Sequence, residues 1–355
     1  MNSSVNDQDR PPEAARKSAP LLQVNDLKKY FPVGDGGMSR QRSYVHAVDG
    51  LIFDVWAGET LGIVGESGCG KSTTARLLMR LIEPDAGQVI FDGKLVGDDA
   101  ELSIRSLYRR VQMVFQDSYA SLNPRLPCAA SIAYGPRVQG VKQNEALRQA
   151  NLLLDKVGLT PDLFANRYPH ELSGGQRQRI NIARALALRP SLLILDEAVS
   201  ALDKSVEAQV LNLLNLIKAE QDLTYVFISH DLNVVRYVSD RVMVMYLGQI
   251  VEIGPVEDVY GNARHPYTQA LLSAMPAMSP RHRTESISIS GDPPNPIDPP
   301  PGCRFRDRCP FAEAVCSDRA PLLSMLTGGG RFGHAAACHM TNADSGHSRA
   351  QEYSK

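Results

Sequence analysis

No run of about eighteen mostly apolar residues occurs in this 355-residue chain, so no helix of it is built to span a bilayer. The longest uncharged apolar segment near a helix, Ala208 to Ile217, is far shorter and lies between Glu207 and Lys218. Any membrane role therefore has to come through partners. The N-terminus carries charges without an apolar h-region, so it reads as no secretory signal. Neither sign of charge dominates, and 38 Lys and Arg against 39 Asp and Glu leave a net charge of −1. That balance argues against a chain whose main partner is nucleic acid, because phosphate binding at large shows as a basic excess. Internal repeats are missing, which excludes two tandem copies of one domain. Cysteine is scarce before residue 300, with only Cys69 and Cys128, yet Cys303, Cys309, Cys316 and Cys338 crowd into the tail.

What is present centres on Gly65-Glu66-Ser67-Gly68-Cys69-Gly70-Lys71-Ser72, a complete G-x-x-x-x-G-K-[ST] phosphate loop. Thr60 to Val64 before it reads as a short buried strand. Thr73 to Leu81 after it reads as a helix with apolar Leu77, Leu78 and Leu81. The glycines let successive N–H groups turn inward as an anion nest at the positive end of a helix. Lys71 would reach the β- and γ-phosphates, and the Ser72 hydroxyl would ligate Mg²⁺. A glycine-rich turn that binds nothing is the bland alternative, and the flanking strand and helix speak against it.

Along the chain, Met1 to Pro20 is polar and aperiodic, and reads as a disordered arm. A strand runs from Leu21 to Pro32, and Gly34 to Tyr44 is a basic, glycine-rich loop. Val45–Val48 and Leu51–Val55 read as two strands joined by a hairpin turn at Asp49-Gly50. Gly87 to Gly93 is another short strand closed by a turn. Val111 to Phe115 is a β-type run delivering Gln116 at its end. Residues 117 to about 180 read as an inserted helical subdomain, with Asn144–Val157 turning Leu147, Leu152, Leu153 and Val157 to one side. Ser191 to Asp196 is apolar enough for a strand buried on both faces. A helix over Ser205–Gln221, a strand over Thr224–Ile228, a hairpin across Leu247-Gly248 and a short helix from His265 to Met275 follow. Strands alternating with helices predict an α/β fold with a mainly parallel sheet. Pro293 to Pro301 is an extended linker or wrapping segment, the cysteine-bearing extension runs to about residue 340, and Thr341 to Lys355 reads as a disordered tail.

Asp196-Glu197, at the tip of an apolar strand, is the second element of a nucleotide site. Asp196 can hold Mg²⁺ beside Ser72, and Glu197 can polarise an attacking water as general base. The plain alternative, a helix N-cap, weakens once a phosphate loop is present. Leu172-Ser173-Gly174-Gly175-Gln176 opens a basic helix and offers a second anion cradle; an N-capping box with close-packed glycines is its alternative. Arginines at 177, 179, 184 and 189 read as a solvated or interface face.

The phosphate loop, Gln116, Leu172 to Gln176, Leu192 to Glu197, Ser200-Ala201-Leu202-Asp203 and His230, in that order, resemble the ATP-binding subunits of ATP-binding-cassette transporters over roughly residues 21–275. The resemblance implies a P-loop ATPase domain with a mainly parallel core, an antiparallel β subdomain and a helical subdomain. It also implies a head-to-tail pair of such domains. The Ser173-Gly174-Gly175-Gln176 cradle of one would then grip the γ-phosphate held by the other's Gly65–Thr73 segment, with Asp203 across the interface. Phe31, with Tyr30 as runner-up, would stack on adenine. Gln116 would touch Mg²⁺ and the attacking water, and His230 would hold the γ-phosphate and order Glu197. Cys69 fills a variable loop position with no role of its own.

Phe115-Gln116-Asp117-Ser118-Tyr119-Ala120-Ser121-Leu122-Asn123-Pro124-Arg125, His265-Pro266-Tyr267-Thr268 and Asp196 to Asp203 resemble, more narrowly, the second ATPase subunit of oligopeptide/dipeptide importers. Ala198 stands where many cassettes have proline. Cys303, Cys309, Cys316 and Cys338 are similar to the four-cysteine region that holds a [4Fe–4S] cluster in some of those subunits. Four thiolates suit iron–sulfur or zinc, with His334 and His339 as substitute zinc ligands, or could stay unliganded. Structural disulfides would not be kept by a cytosolic ATPase. The implied partners are a paralogous ATPase subunit, two membrane permeases and an extracytoplasmic binding protein, with this chain peripheral on the cytoplasmic face of the inner membrane. Nickel, glutathione or oligosaccharide are alternative cargoes. A chromosome-maintenance cassette ATPase would need long coiled-coil insertions, and a translation-type one two cassettes per chain; neither is present.

Overall fold

The structure, a computed structural model, describes residues 19–33, 43–98, 100–275, 295–328 and 333–350. β1 (Pro20–Val33) and β2 (Ser43–Trp56) pair antiparallel along nearly their whole length. The hairpin expected at Asp49-Gly50 is absent: β2 runs straight through it. Gly50 takes φ +77°, and the register slips between Leu27↔Leu51 and Lys28↔Asp49. The glycine is absorbed as a bulge because the long β1 already pairs both halves.

β3 (Thr60–Val64) opens a second sheet and leads into the helix Lys71–Leu78. That helix starts earlier and stops sooner than the apolar spacing suggested. Arg80 turns to φ +52°, leaving Leu81 45% exposed. β4 (Ala86–Phe91) and β5 (Lys94–Leu95) complete the first sheet in the order β2-β1-β4-β5.

After β6 (Val111–Val114) come the helices Cys128–Val138, Gln143–Lys156 and Pro161–Phe164 of the inserted subdomain. Gln143–Lys156 buries Ala146, Ala150 and Leu154; of the expected side, Val157 is buried and Leu147 and Leu153 pack against the same core, while Leu152 is 64% exposed. Small alanines face the core here, where a reading that weighted leucines looked past them. The arginines of the helix Gly174–Leu186 turn inward rather than to solvent. Arg177, Arg179 and Arg184 donate to the carbonyls of Leu172, Val157 and Ser121 and tie the subdomain together.

β7 (Leu192–Asp196), β8 (Thr224–Ile228), β9 (Arg241–Tyr246) and β10 (Gln249–Pro255) follow, then β11 (Ser324–Thr327) and β12 (His334–Ala336). The second sheet runs β11-β12-β10-β9-β3-β8-β7-β6, parallel from β9 to β6. Every residue of β3, β7, β8 and β9 is buried. Alternate residues divide between two cores: Leu192 and Ile194 face the first sheet, while Leu193 and Leu195 face the helices. Leu247 and Gly248, at φ +44° and +80°, make the two-residue hairpin between β9 and β10.

The extension is not a separate appendage, because β12 pairs with β10 and lengthens the second sheet. Fully buried Glu252 on β10 accepts from the His334 imidazole at 2.8 Å and from the N–H groups of Arg264 and His265. The proline-rich segment wraps the edge of β2, where Ile297 bridges Val45 and Tyr44 N–H donates to the Asp298 carboxylate. The tail expected to lack structure from Thr341 instead makes 3₁₀ turns at His339–Thr341 and Ala343–Ser345 and buries Ser345, His347 and Ala350. Local polar contacts hold it, among them His347 Nε2 against the Phe311 carbonyl at 2.9 Å, where hydrophobic pattern offers no signal. The expected N-terminal arm up to Ser18, most of the Gly34–Tyr44 loop, residues 276–294 and 351–355 lie outside the described residues.

Candidate functional site

β3 sits between β9 and β8 and delivers the phosphate loop at its carboxyl end. Gly65 and Gly70 adopt φ +150° and +107°. A Cβ on either would lie 2.2 Å from a carbonyl oxygen, of Met245 and Ala47 respectively, so backbone packs directly on backbone. The helix from Lys71 has no side-chain cap and no acidic residue in its first turn, which leaves its N–H groups and dipole to an anion. Buried Lys71 donates through Nζ to the carbonyls of Gly65 (2.7 Å) and Glu66 (2.9 Å). Ser72 Oγ donates to Asp196 Oδ1 at 2.9 Å. Burial pushes the Asp196 carboxyl above its usual range, and the Ser72 hydrogen bond opposes that. A hydroxyl and a carboxylate sharing one point at the loop fit Mg²⁺.

The parallel pairing of β7 with β8 brings Glu197 beside Ser229-His230. Glu197 is held at φ +47°, a costly backbone for a side chain, with its N–H donated to the Ile228 carbonyl at 2.9 Å. Its Oε2 accepts from Gln116 Nε2 at 2.8 Å and lies 3.4 Å from His230 Nδ1. Ser67, Gly68, Gly70, Lys71, Ser72 and Thr73 share one cavity of about 350 Å³ with Gln116, Glu197 and His230. A cation, a hydroxyl and a poised carboxylate thus face one space, with the Asp196 carboxylate held behind the hydroxyl.

Other predicted residues do not line that cavity. Ser173 caps its own helix: its Oγ accepts from Gln176 N–H at 3.3 Å, and Gln176 Oε1 accepts from Ser173 N–H at 2.9 Å. The capping box weighed as the plain alternative is therefore realised within the chain. Gly175 is packed so that a Cβ would meet Val206 Cγ1 at 2.3 Å, whereas Gly174 has ordinary room. Ser173 and Asp203 stay exposed. Phe31 is 38% exposed at the sheet edge, while Tyr30 stacks on His46 with ring centroids 4.1 Å apart. Cys69 is buried behind Lys71, and the Glu66 side chain turns away to Arg308.

Cys303, Cys309, Cys316 and Cys338 line one narrow cavity together, and none is in a disulfide. Burial pushes the Cys303 thiol up to about 11 and the Cys338 thiol up to about 12, with neighbouring thiols adding. His339 and His347 also line this cavity and engage the carbonyls of Arg319 and Phe311 through Nε2, while His334 engages Glu252. As placed, no group of three or more His, Cys, Asp or Glu among the described residues could hold a metal ion. Four thiols are a donor set that either zinc or an iron–sulfur cluster accepts.

Arg304 and Arg308, which both reach residues of the nucleotide region, escaped sequence reading. Each is one arginine among many, and only its neighbour in space distinguishes it. Tyr267, whose hydroxyl accepts from Glu66 N–H at 2.9 Å, was noticed only as part of a motif.

Fold and site together define a nucleotide-hydrolysing P-loop cassette. A family model for ABC transporters matches residues 48–200, and one for the C-terminal region of oligopeptide/dipeptide transporters matches residues 251–316. The oligopeptide transport ATP-binding protein AppF of Bacillus subtilis is 48% identical over 327 residues, covering 90% of this chain and 97% of AppF. Among solved structures, CbiO1 from Clostridium perfringens, part of the ABC transporter complex cbiONQ, aligns with TM-score 0.59 and 26% identity over 68% of this chain and 91% of its own. A dimeric ATP-binding cassette in a post-hydrolysis state, bound to ADP and Pi, aligns with TM-score 0.57 and 27% identity over 66% of this chain and 98% of its own. The chain belongs to the ATP-binding subunits of ABC transporters. No helix among the described residues is long and apolar enough to cross a membrane.

Proposed function

We propose that this chain is the ATP-hydrolysing subunit of an importer for oligopeptides or dipeptides, working at the cytoplasmic face of the inner membrane. The observation that carries the catalytic part is the convergence of Lys71, Ser72, Gln116, Glu197 and His230 on one cavity. The cargo rests on the relatives' names and on the C-terminal region match.

The phosphate-loop N–H groups and Lys71 bind the β- and γ-phosphates. Ser72, Asp196 and Gln116 would hold Mg²⁺, which would neutralise charge on the phosphates. Glu197 takes a proton from water as the oxygen attacks the γ-phosphorus, ADP leaves, and phosphate forms. Gln116 and His230 hold the Glu197 carboxylate in place through a shared oxygen. His230 also steadies the γ-phosphate. The exposed Ser173, outside the cavity of its own chain, supports closure by a second, paralogous cassette in head-to-tail arrangement, with Asp203 at the interface. Closure on ATP and reopening after hydrolysis would drive two permeases fed by an extracytoplasmic binding protein. Cys303, Cys309, Cys316 and Cys338 would hold a [4Fe–4S] cluster with a structural role; anaerobically purified protein with neither brown absorbance nor bound iron would dismiss it.

The chain should be purified with the permeases and binding protein encoded beside it, and ATPase activity measured in membranes with and without peptides. Peptide-stimulated turnover that falls about a hundredfold or more in Glu197→Gln is the expected result. Turnover that needs the permeases but ignores peptides would move the cargo to nickel, glutathione or oligosaccharide. Full activity without permeases would refute the transporter role.

A further inference from the structure

The segment between Cys303 and Cys309 touches the nucleotide region twice. Phe305 anchors it, buried edge-on against Tyr246 with centroids 5.3 Å apart and tilted against Tyr267 at 5.4 Å. At one end Arg304 pairs with Asp49 and donates to the Leu247 carbonyl, while Asp49 also accepts the Tyr30 hydroxyl. At the other end Arg308, 8% exposed, forks onto the Glu66 carboxylate: Nη1 to Oε2 at 2.8 Å and Nη2 to Oε1 at 3.0 Å. The Arg308 fork lies against the Tyr246 hydroxyl, 3.4 Å from Nη1. Glu66 follows the first glycine of the phosphate loop, and its N–H is held by the Tyr267 hydroxyl at 2.9 Å.

We propose that Arg308 is a positioning residue for nucleotide binding, holding the phosphate loop through Glu66. The inference rests on the reading of the cavity as the ATP site. Glu66 puts a carboxylate next to a loop whose task is to receive three phosphates. Left unpaired, that charge repels the ligand and can swing toward Lys71, which lies close enough to donate to the Glu66 carbonyl at 2.9 Å. The forked pair neutralises the charge and turns it away, and two parallel charge-assisted bonds also fix the direction of the loop. Arg304 and Phe305 pin the segment that carries Arg308, so the guanidinium is presented from a rigid base. Cys303 and Cys309, at the two ends of this segment, place the four-thiol cavity directly behind the strut.

The test is equilibrium binding of MgATP to the full-length chain, alongside steady-state kinetics. Arg308→Ala should weaken MgATP binding about tenfold or more, the scale of a lost hydrogen bond to a charged group. KM for ATP should rise with it, while kcat at saturating ATP stays within about twofold. Adding Glu66→Gln to Arg308→Ala removes the stranded charge and should recover most of the affinity. Arg308→Lys keeps the charge without the fork and should fall between wild type and Arg308→Ala; it also stands in should Arg308→Ala fail to fold. Unchanged MgATP affinity in a folded Arg308→Ala or Arg308→Lys protein overturns the inference. So does a loss that Glu66→Gln leaves untouched, since that marks a role in packing only. Wild-type chain that fails to bind MgATP would refute the ATP-site reading itself, a result separate from any difference between variants.

Discussion

His265 is fully buried at the start of the helix Pro266–Ser273, where its Nδ1 accepts the Tyr267 N–H at 3.0 Å. Burial drops its pKa to about 4, against an opposing pull from Glu252. An unfolded histidine titrates near about 6.5, so between the two values the unfolded chain binds a proton that the folded chain refuses. Stability from this group is complete above the upper value and is lost as pH falls toward the lower one, by roughly 2–3 kcal/mol. Melting curves from neutral pH down to about 4.5 should fall more steeply for wild type than for His265→Asn, which keeps a capping acceptor without the titration. Parallel curves would discard this assignment. At this scale much of the nucleotide site was legible, because Lys71, Ser72, Asp196 and Glu197 sit in short local patterns whose backbone explains them. Arg308 was not, since its partner Glu66 lies in a different part of the chain and arginine spacing carries no address.

Among the elements, the helix Gly174–Leu186 shows how one motif serves two demands. Ser173 caps it, and Gly175 lets it approach the helix Lys204–Gln221 at Val206. Gly175→Ala should cost about 1–3 kcal/mol through overpacking. Gly174→Ala, with its nearest neighbour at 3.7 Å, should cost far less, and Val206→Ala should partly rescue Gly175→Ala. Thermal melts of the four proteins would check the order, and equal losses at both glycines would contradict it. Strand runs such as Leu192–Asp196 were legible because burial on both faces demands unbroken apolar sequence. The Asp49-Gly50 turn was misread because a positive φ serves a bulge as well as a hairpin, and only the partner strand decides which.

Across the whole molecule, the extension is joined to the ATPase sheet by a buried polar latch. His334→Ala would leave Glu252, fully buried, with backbone donors alone. It should lower stability by about 1–3 kcal/mol. Denaturant titration would measure this, and an unchanged midpoint would mean that the latch contributes nothing. The sequence by itself located the phosphate loop, the Asp196-Glu197 pair at the end of a buried strand and the alternation that makes a parallel sheet, because each depends on neighbours a few residues apart. Only the tertiary structure decided that β11 and β12 extend that same sheet, that four distant thiols share one cavity, and that Arg308 reaches Glu66. Those contacts join residues far apart along the chain, and their energy exists only once the sheet has brought them together.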